Sequence, residues 1–350
     1  MNHIKRAATA LSLLCAATVA QAETTLLFGE AGPDRGPRPE AIKWYADEVA
    51  ARSDGELKID IQWGGALFKS SAAMQSIGSG VADLGTIISV YYPQEMIGLG
   101  IADLPIRNAD LWVSMRATDE LMRTNEAIRD DLASKDLVYL GVWTTSQVNI
   151  ACKGRTIRSI SDIEGVKVRG VGAYGKVFGD LGATSINMNT YEAYQGLDTG
   201  LLDCTQGYSY LMASLKLEEV VDSYTLLDWG QVGGLGLFMN KFTFDSLSEE
   251  EQKVLLEAGE EMSDEFGEIL TRVNDEAIQT LTDAGVEITT LPEEERAVLI
   301  ENGLKYIDEW VTTADGAGLP GEEILQEYRD LIAKWTTVRD EKGYPWAPKE

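Results

Sequence analysis

The chain has almost none of the residues on which most catalytic and metal sites depend. Its 350 residues include one histidine, His3, and three cysteines. It also has no uninterrupted run of 18 apolar residues, the length that a membrane-spanning helix needs. If His3 is removed during export, no imidazole remains. The sequence therefore argues against Ser-His-Asp and Cys-His catalysis and against histidine-ligated metals, and we expect no enzyme activity, metal or cofactor.

Residues 1–22 have the pattern of a cleavable secretory signal peptide. Lys5 and Arg6 give it a basic start, residues 7–19 are apolar, and Ala20-Gln21-Ala22 is an A-x-A cleavage site. Cleavage would leave 28 basic and 57 acidic residues, a formal charge of −29. We therefore expect a soluble periplasmic protein that repels nucleic acid and anionic membranes. An anionic ligand would need local positive groups to overcome that field.

Two cysteines, Cys152 and Cys204, lie beyond this peptide. An oxidising compartment permits a disulfide between them. Buried free thiols fit two cysteines so far apart equally well. The sequence leaves both interpretations open.

The stretch Ser161–Cys204 alternates short strands and glycine-terminated helices in the order β-α-β-α-β. This order predicts an α/β fold with a mostly parallel sheet, whose ligands bind at the carboxyl ends of the strands. Arg169 stands at such an end, after the strand Lys167–Arg169 and before Gly170-Val171-Gly172. A guanidinium there could grip a carboxylate through two hydrogen bonds. The alternative is an ion pair with a structural Asp or Glu.

One short pattern occurs twice, as Gly80-Val81-Ala82-Asp83 and as Gly200-Leu201-Leu202-Asp203. Each copy follows a helix and precedes a strand, which predicts two lobes built on similar units. We expect lobe I over 23–145, completed by about 232–262, and lobe II over 146–231. A long helix over 248–285, opened by a capping box at Ser248, would brace both lobes, and helices in 286–350 would pack on them.

Aromatic and amide side chains near strand ends and lobe crossings complete the candidate site. Loop aromatics can stack on a ligand, and amides can form hydrogen bonds with it, but rim packing or an ordinary hinge explains these side chains equally well. The candidates besides Arg169 are Tyr91, Tyr92, Trp143, Gln147, Asn149, Tyr208 and Asn240.

The chain resembles the solute-binding subunits of tripartite ATP-independent periplasmic (TRAP) transporters, of the dicarboxylate type. The similar segments are SDIEGVKVR at Ser161–Arg169, EAYQGLDTGLLD at Glu192–Asp203, GGAL at Gly64–Leu67, GVADLG at Gly80–Gly85, Leu104-Pro105 and MNKFTFDSLSEEEQ at Met239–Gln252. They cover most of the chain beyond residue 22 in the expected order.

This resemblance implies a two-lobed periplasmic-binding-protein-like fold with a long helix spanning both lobes. It implies a cleft that closes on a small organic anion, a salt bridge from Arg169 to the ligand carboxylate, and membrane permease subunits as partners. We expect a monomer. The region Trp143–Asn149 lacks the second arginine of many members, and Cys204 replaces a usual glycine. One carboxylate on a neutral, partly aromatic body therefore fits best.

Two other functions stay open from the residues alone. An exported hydrolase without histidine would need paired carboxylates, but the acidic residues crowd predicted surface helices. The binding protein of an ATP-driven sugar or amino-acid importer would share the two lobes. It should lack the long helix and the Lys167-x-Arg169 motif.

Overall fold

The computed structural model describes residues 23–106 and 110–347, so the predicted signal peptide lies outside the described residues. The strands are β1 Thr24–Gly29, β2 Leu57–Gln62, β3 Leu84–Ile88, β4 Leu137–Trp143, β5 Gln147–Cys152, β6 Lys167–Arg169, β7 Thr184–Ile186, β8 Cys204–Gly207, β9 Ser223–Gln231, β10 Leu235–Asn240 and β11 Glu287–Thr290.

The helices alternate with these strands through most of the chain and then end it. They are α1 Pro37–Arg52, α2 Ala73–Gly78, α3 Ile97–Gly100, α4 Leu111–Thr124, α5 Glu126–Ala133, α6 Gly172–Asp180, α7 Ala193–Asp198, α8 Ser209–Ser214, α9 Lys241–Ser246, α10 Glu249–Asp283, α11 Glu293–Gly303, α12 Lys305–Gly316 and α13 Gly321–Lys342.

Two separate sheets form the frameworks of two lobes. The lobe I sheet has the order β2-β1-β3-β10-β4, and the lobe II sheet has the order β11-β9-β5-β8-β6-β7. Each sheet is mixed rather than mostly parallel, because β10 and β5 run antiparallel to their neighbours. The chain enters lobe II through β5 and returns to lobe I through β10. Both strands therefore start at the cleft, where strands β1, β3, β6 and β8 end.

The repeated Gly-x-x-Asp pattern forms the same hydrogen-bonded turn in both lobes. Gly80 and Gly200 adopt left-handed φ angles of 76° and 75°, which glycine tolerates without strain. Asp83 Oδ2 accepts a hydrogen bond from Leu27 N in β1 at 2.7 Å, and Asp203 Oδ2 accepts one from Lys167 N in β6 at 2.9 Å. In each lobe the carboxylate thus ties an αβ turn to the neighbouring parallel strand.

The long helix α10 packs on both lobes. Ser248 and Glu251 form its capping box, as predicted. With 35 residues it spans about 52 Å at 1.5 Å per residue. It contacts α1, α4 and β4 of lobe I and α8 and β11 of lobe II. Gly259 lets it approach β4 closely, because an added Cβ would lie 1.9 Å from Leu140 O.

Cys152 and Cys204 form a disulfide, so the free-thiol alternative does not hold. The two residues lie directly opposite each other in the antiparallel pair of β5 and β8. Their separation of 52 residues in the sequence disappears in the sheet. Strand register decides this pairing, and residue spacing alone does not reveal it.

The C-terminal region contributes more than helices. β11 joins the edge of the lobe II sheet beside β9, whereas the sequence predicted only helices there. The proposed domain boundaries stay a prediction. None of the helices in the described ranges combines the length and hydrophobicity that a membrane crossing requires.

Candidate functional site

A small cavity lies between the lobes, where carboxyl ends of strands from both sheets face each other. Its volume is about 40 Å³, which fits a few water molecules. It is lined by Arg38, Ile88, Val90, Tyr91, Thr145, Arg169, Val171, Thr190, Tyr191, Tyr208, Tyr210, Leu211, Val232 and Leu235. We call it the inner cavity. Three of the eight predicted site residues, Arg169, Tyr91 and Tyr208, line it.

Arg169 is a buried cation that is bonded only to neutral groups within the described residues. It is 1% exposed at the end of β6. Its Nε donates to Met188 O at 3.1 Å, and its Nη1 donates to Gln206 O at 3.3 Å. No carboxylate of residues 23–106 or 110–347 lies within 4.0 Å of it. The sequence alternative of an ion pair with a structural acid therefore has no support in this part of the chain.

Hydrogen bonds from the end of β8 set the surroundings of Arg169. Gln206 Oε1 accepts from Val171 N at 2.9 Å, and Gln206 Nε2 donates to Tyr208 Oη at 2.9 Å. Tyr208 stacks on Tyr210, with ring centroids 6.5 Å apart. Burial raises the pKa of Tyr208, against the lowering effect of Arg169, and it raises the pKa of Tyr210 to about 12. Both phenols are therefore neutral near pH 7.

A second guanidinium, that of Arg38, lines the inner cavity from lobe I, and the sequence analysis did not include it. Arg38 Nη2 lies 3.0 Å from Glu30 Oε1, and the Glu30 side chain is 1% exposed. Glu30 also accepts from Gly32 N at 2.7 Å and from Thr86 Oγ1 at 2.6 Å. Burial is the largest single effect and lowers the pKa of Arg38, but the Glu30 carboxylate together with Tyr191 and Tyr210 outweighs it, so the pKa is raised. This cation is therefore already neutralised.

The lobes touch around the inner cavity. Arg38 donates to Tyr191 Oη, Arg35 Nε donates to Ser214 O, and Thr190 N donates to Tyr91 Oη at 3.3 Å. A larger outer cleft of about 830 Å³ shares Val90, Tyr91 and Tyr191 with the cavity. The inner cavity is thus the closed end of the groove between the lobes.

Two of the predicted site residues, Tyr92 and Asn240, form hydrogen bonds within lobe I instead. Tyr92 Oη donates to Ser70 O at 2.6 Å and accepts from Met74 N at 3.2 Å. Asn240 Oδ1 accepts from Thr243 N at 2.9 Å as the cap of α9, and its Nδ2 donates to Ile77 O at 3.0 Å. Neither lines the inner cavity or the outer cleft. Their role as ligand contacts therefore stays a prediction without support from the cavity lining.

The three predicted residues at the first lobe crossing also lie away from the inner cavity. Trp143 is fully buried at the end of β4. Asn149 Oδ1 accepts from Leu227 N at 2.8 Å and Asp228 N at 3.0 Å, which holds an irregular part of the β5–β9 pair. Gln147 starts β5 opposite Gln231. None of the three lines the inner cavity or the outer cleft, so their role as ligand contacts stays a prediction that the cavity lining does not support.

The second crossing is held by a buried carboxylate, that of Asp103. Its Oδ1 accepts from Gly234 N at 2.8 Å, and its Oδ2 accepts from Ser89 Oγ. Burial raises the pKa of Asp103 to about 7, although these hydrogen bonds oppose the increase. No space remains at Gly234, where an added Cβ would lie 1.9 Å from Ser89 Oγ. The crossing therefore requires glycine at this position.

Comparison with known proteins agrees with this architecture. Residues 28–313 match the family model DctP, described as bacterial extracellular solute-binding protein, family 7. A solute-binding protein of Sulfitobacter sp. strain NAS-14.1 is 26% identical over 306 residues, which cover 85% of this chain and 89% of that protein.

Solved structures give the same result. A marine metagenome TRAP solute-binding protein specific for aromatic acid ligands, co-crystallised with 3-hydroxybenzoate, has 27% identity and a TM-score of 0.80, covering 90% of this chain and 99% of that one. A TRAP solute-binding protein of Rhodoferax ferrireducens T118, complexed with copurified benzoate, has 22% identity and a TM-score of 0.81 over 90% and 99%. The predicted two-lobed fold and the resemblance to TRAP solute-binding subunits are thus confirmed, and the chain belongs to family 7 of the bacterial extracellular solute-binding proteins.

Proposed function

We propose that this protein is the periplasmic solute-binding subunit of a TRAP transporter and captures a small organic acid anion through Arg169. The observation that carries the proposal is the buried Arg169 guanidinium, which has no carboxylate partner in the described chain and lines a cavity between two lobes. A buried charge without a counter-ion is costly. A ligand carboxylate would supply that counter-ion.

The ligand body that fits best is aromatic or otherwise apolar. Besides the two arginines, the inner cavity is lined by four tyrosines, six aliphatic side chains and two threonines. Aromatic rings favour stacked or edge-on contacts with other rings. The metagenome protein with 27% identity is specific for aromatic acids, which supports this class.

Closure of the lobes would complete the binding mechanism. Tyr91, Arg35 and Arg38 of lobe I bond to lobe II at the cavity rim. When these contacts open, the inner cavity joins the outer cleft of about 830 Å³ and widens, so that a ligand can reach Arg169. The lobes then close around the ligand, and the ion pair loses its water. Desolvation strengthens the attraction if the hydrogen-bond geometry is good. The ligand favours the closed state by its higher affinity for it, and membrane permease subunits would recognise that state.

Calorimetric titration with aromatic and aliphatic monocarboxylates tests the proposal. The carboxylate that binds wild-type protein should bind Arg169→Gln more weakly by about 2–5 kcal/mol, as for a truncated buried charge pair. Lys167→Gln is the matched control, because it removes the same charge from the same strand while its side chain bonds to Gly200 O and is 41% exposed. Binding that survives Arg169→Gln unchanged, or binding of a neutral sugar alone, would overturn the proposal.

A further inference from the structure

The Arg38 side chain has a polar atom that the ion pair with Glu30 does not use. Its Nη2 serves both Glu30 and Tyr191. Its Nε is buried and has no hydrogen-bond partner in the described structure. A buried donor that stays unpaired costs free energy, and such groups in native proteins call for an explanation. The side chain that carries this donor lines the inner cavity.

We propose that Arg38 is a specificity-determining residue and that the ligand carries, besides its carboxylate, a neutral hydrogen-bond acceptor such as a hydroxyl, ether or carbonyl oxygen. The acceptor binds Arg38 Nε while the carboxylate binds Arg169. This inference rests on the proposed function, since both groups belong to one organic acid bound in the inner cavity.

The ion pair of Arg38 with Glu30 explains why the ligand's hydrogen-bond acceptor should be neutral. Glu30 is buried and already compensates the guanidinium, with further hydrogen bonds from Gly32 and Thr86. A second ligand carboxylate would stand near the Glu30 carboxylate in a poorly solvated space, where like charges repel strongly. A neutral oxygen accepts the Nε hydrogen bond without this repulsion. The two arginines therefore favour a monoanion with one polar substituent over a dicarboxylate.

The protein selects between ligands that differ only in this acceptor. Benzoate carries the carboxylate alone, the three hydroxybenzoates add an acceptor at different positions, and isophthalate adds a second carboxylate. A hydrogen bond to a charged donor changes affinity by about tenfold or more. We expect at least one hydroxybenzoate to bind wild-type protein about tenfold more tightly than benzoate, and isophthalate to bind more weakly than that isomer.

Calorimetry on variants assigns the preference to Arg38. Arg38→Lys keeps a positive charge near Glu30 but lacks the guanidinium Nε. The variant should therefore still bind benzoate but lose the preference for the hydroxybenzoate over benzoate. The double variant Glu30→Gln/Arg38→Gln removes both charges together and should lose the preference as well. Arg52→Lys is the matched control, because Arg52 lies in the same helix α1 and pairs with Glu48 and Glu261 but lines neither the inner cavity nor the outer cleft. It should keep the wild-type preference, and thermal melting establishes that each variant is folded.

The outcomes separate this inference from the proposed function. Equal binding of benzoate and all hydroxybenzoates, a preference that persists in both Arg38 variants, or tighter binding of isophthalate would overturn the role of Arg38 and leave Arg169 as the anchor. Absence of binding by every carboxylate tested would overturn the proposed function together with this inference.

Discussion

Each wall of the inner cavity presents one arginine, and the two arginines differ in how their charge is compensated. The Arg169 residue is 1% exposed, and the Arg38 side chain is 12% exposed. In lobe I, Arg38 is paired with Glu30, whose carboxylate accepts three hydrogen bonds. In lobe II, Arg169 bonds only to the carbonyls of Met188 and Gln206 among the described residues. The charge on one wall is compensated within the protein, and the proposed ligand carboxylate would compensate the charge on the other. The difference indicates that a cavity lined by two guanidinium groups need not take two ligand carboxylates.

Glu30→Gln removes the difference in charge compensation between Arg38 and Arg169 most directly. The substitution leaves the Arg38 guanidinium, whose side chain is only 12% exposed, without its counter-ion, so the free energy of unfolding should fall by up to about 3–5 kcal/mol. Both walls would then lack an anion, and dicarboxylates should gain affinity relative to monocarboxylates. Urea unfolding and calorimetry measure the two effects.

The double variant Glu30→Gln/Arg38→Gln serves as the control for that experiment. It removes both charges at once, and it should therefore recover part of the lost stability. If the free energy of unfolding of Glu30→Gln lies within about 1 kcal/mol of the wild-type value, as for an ordinary surface substitution, then Glu30 does not compensate Arg38.

The disulfide should stabilise lobe II more than lobe I. It joins β5 to β8 in lobe II and closes a loop of 52 residues. Chain-entropy arguments predict that Cys152→Ala/Cys204→Ala lowers the free energy of unfolding by about 4 kcal/mol. Hydrogen exchange should show the loss of protection in β5, β6 and β8, with β1 and β3 much less affected. Equal losses in both sheets would show that the lobes unfold as one unit.

Asp103 and Glu30 are both buried carboxylates of lobe I. Glu30 has a cationic partner, and Asp103 has none among the described residues. Its folded pKa of about 7 lies above the unfolded value of 3.8. The folded state therefore binds the proton more tightly, and stability is lost as the pH rises through 7. Between pH 6 and pH 8 the free energy of unfolding should fall by about 1.4 kcal/mol.

Asp103→Asn should remove this pH dependence. The amide can accept from Gly234 N and donate to Ser89 Oγ, and Ser89 Oγ can then give its one hydrogen to Gly234 O, 2.9 Å away. The difference between the variant and wild type in chemical denaturation isolates this one carboxylate. A pH slope that persists in Asp103→Asn would assign the titration to another group.

Local patterns determined much of the architecture. The capping box at Ser248, the glycine stops, the strand Lys167–Arg169 and the two Gly-x-x-Asp turns depend on neighbours within a few residues, and the structure has each of them. The position of Arg169 at a strand end was predictable for the same reason, and its role in ligand binding stays a prediction from the rule that ligands bind at strand ends of α/β folds. The family motifs added the two-lobed arrangement.

Only the tertiary structure decided which distant residues share the cavity. Arg38 and Arg169 are 131 positions apart, and Glu30 compensates the first because β1 and α1 bring them together. The same folding placed Asn149, Asn240 and Tyr92 against backbone groups of their own lobe, although their residue types suit ligand binding. Residue type and spacing determine local structure. Strand register and lobe packing determine which polar groups already have partners, and so which of them remain available to a ligand.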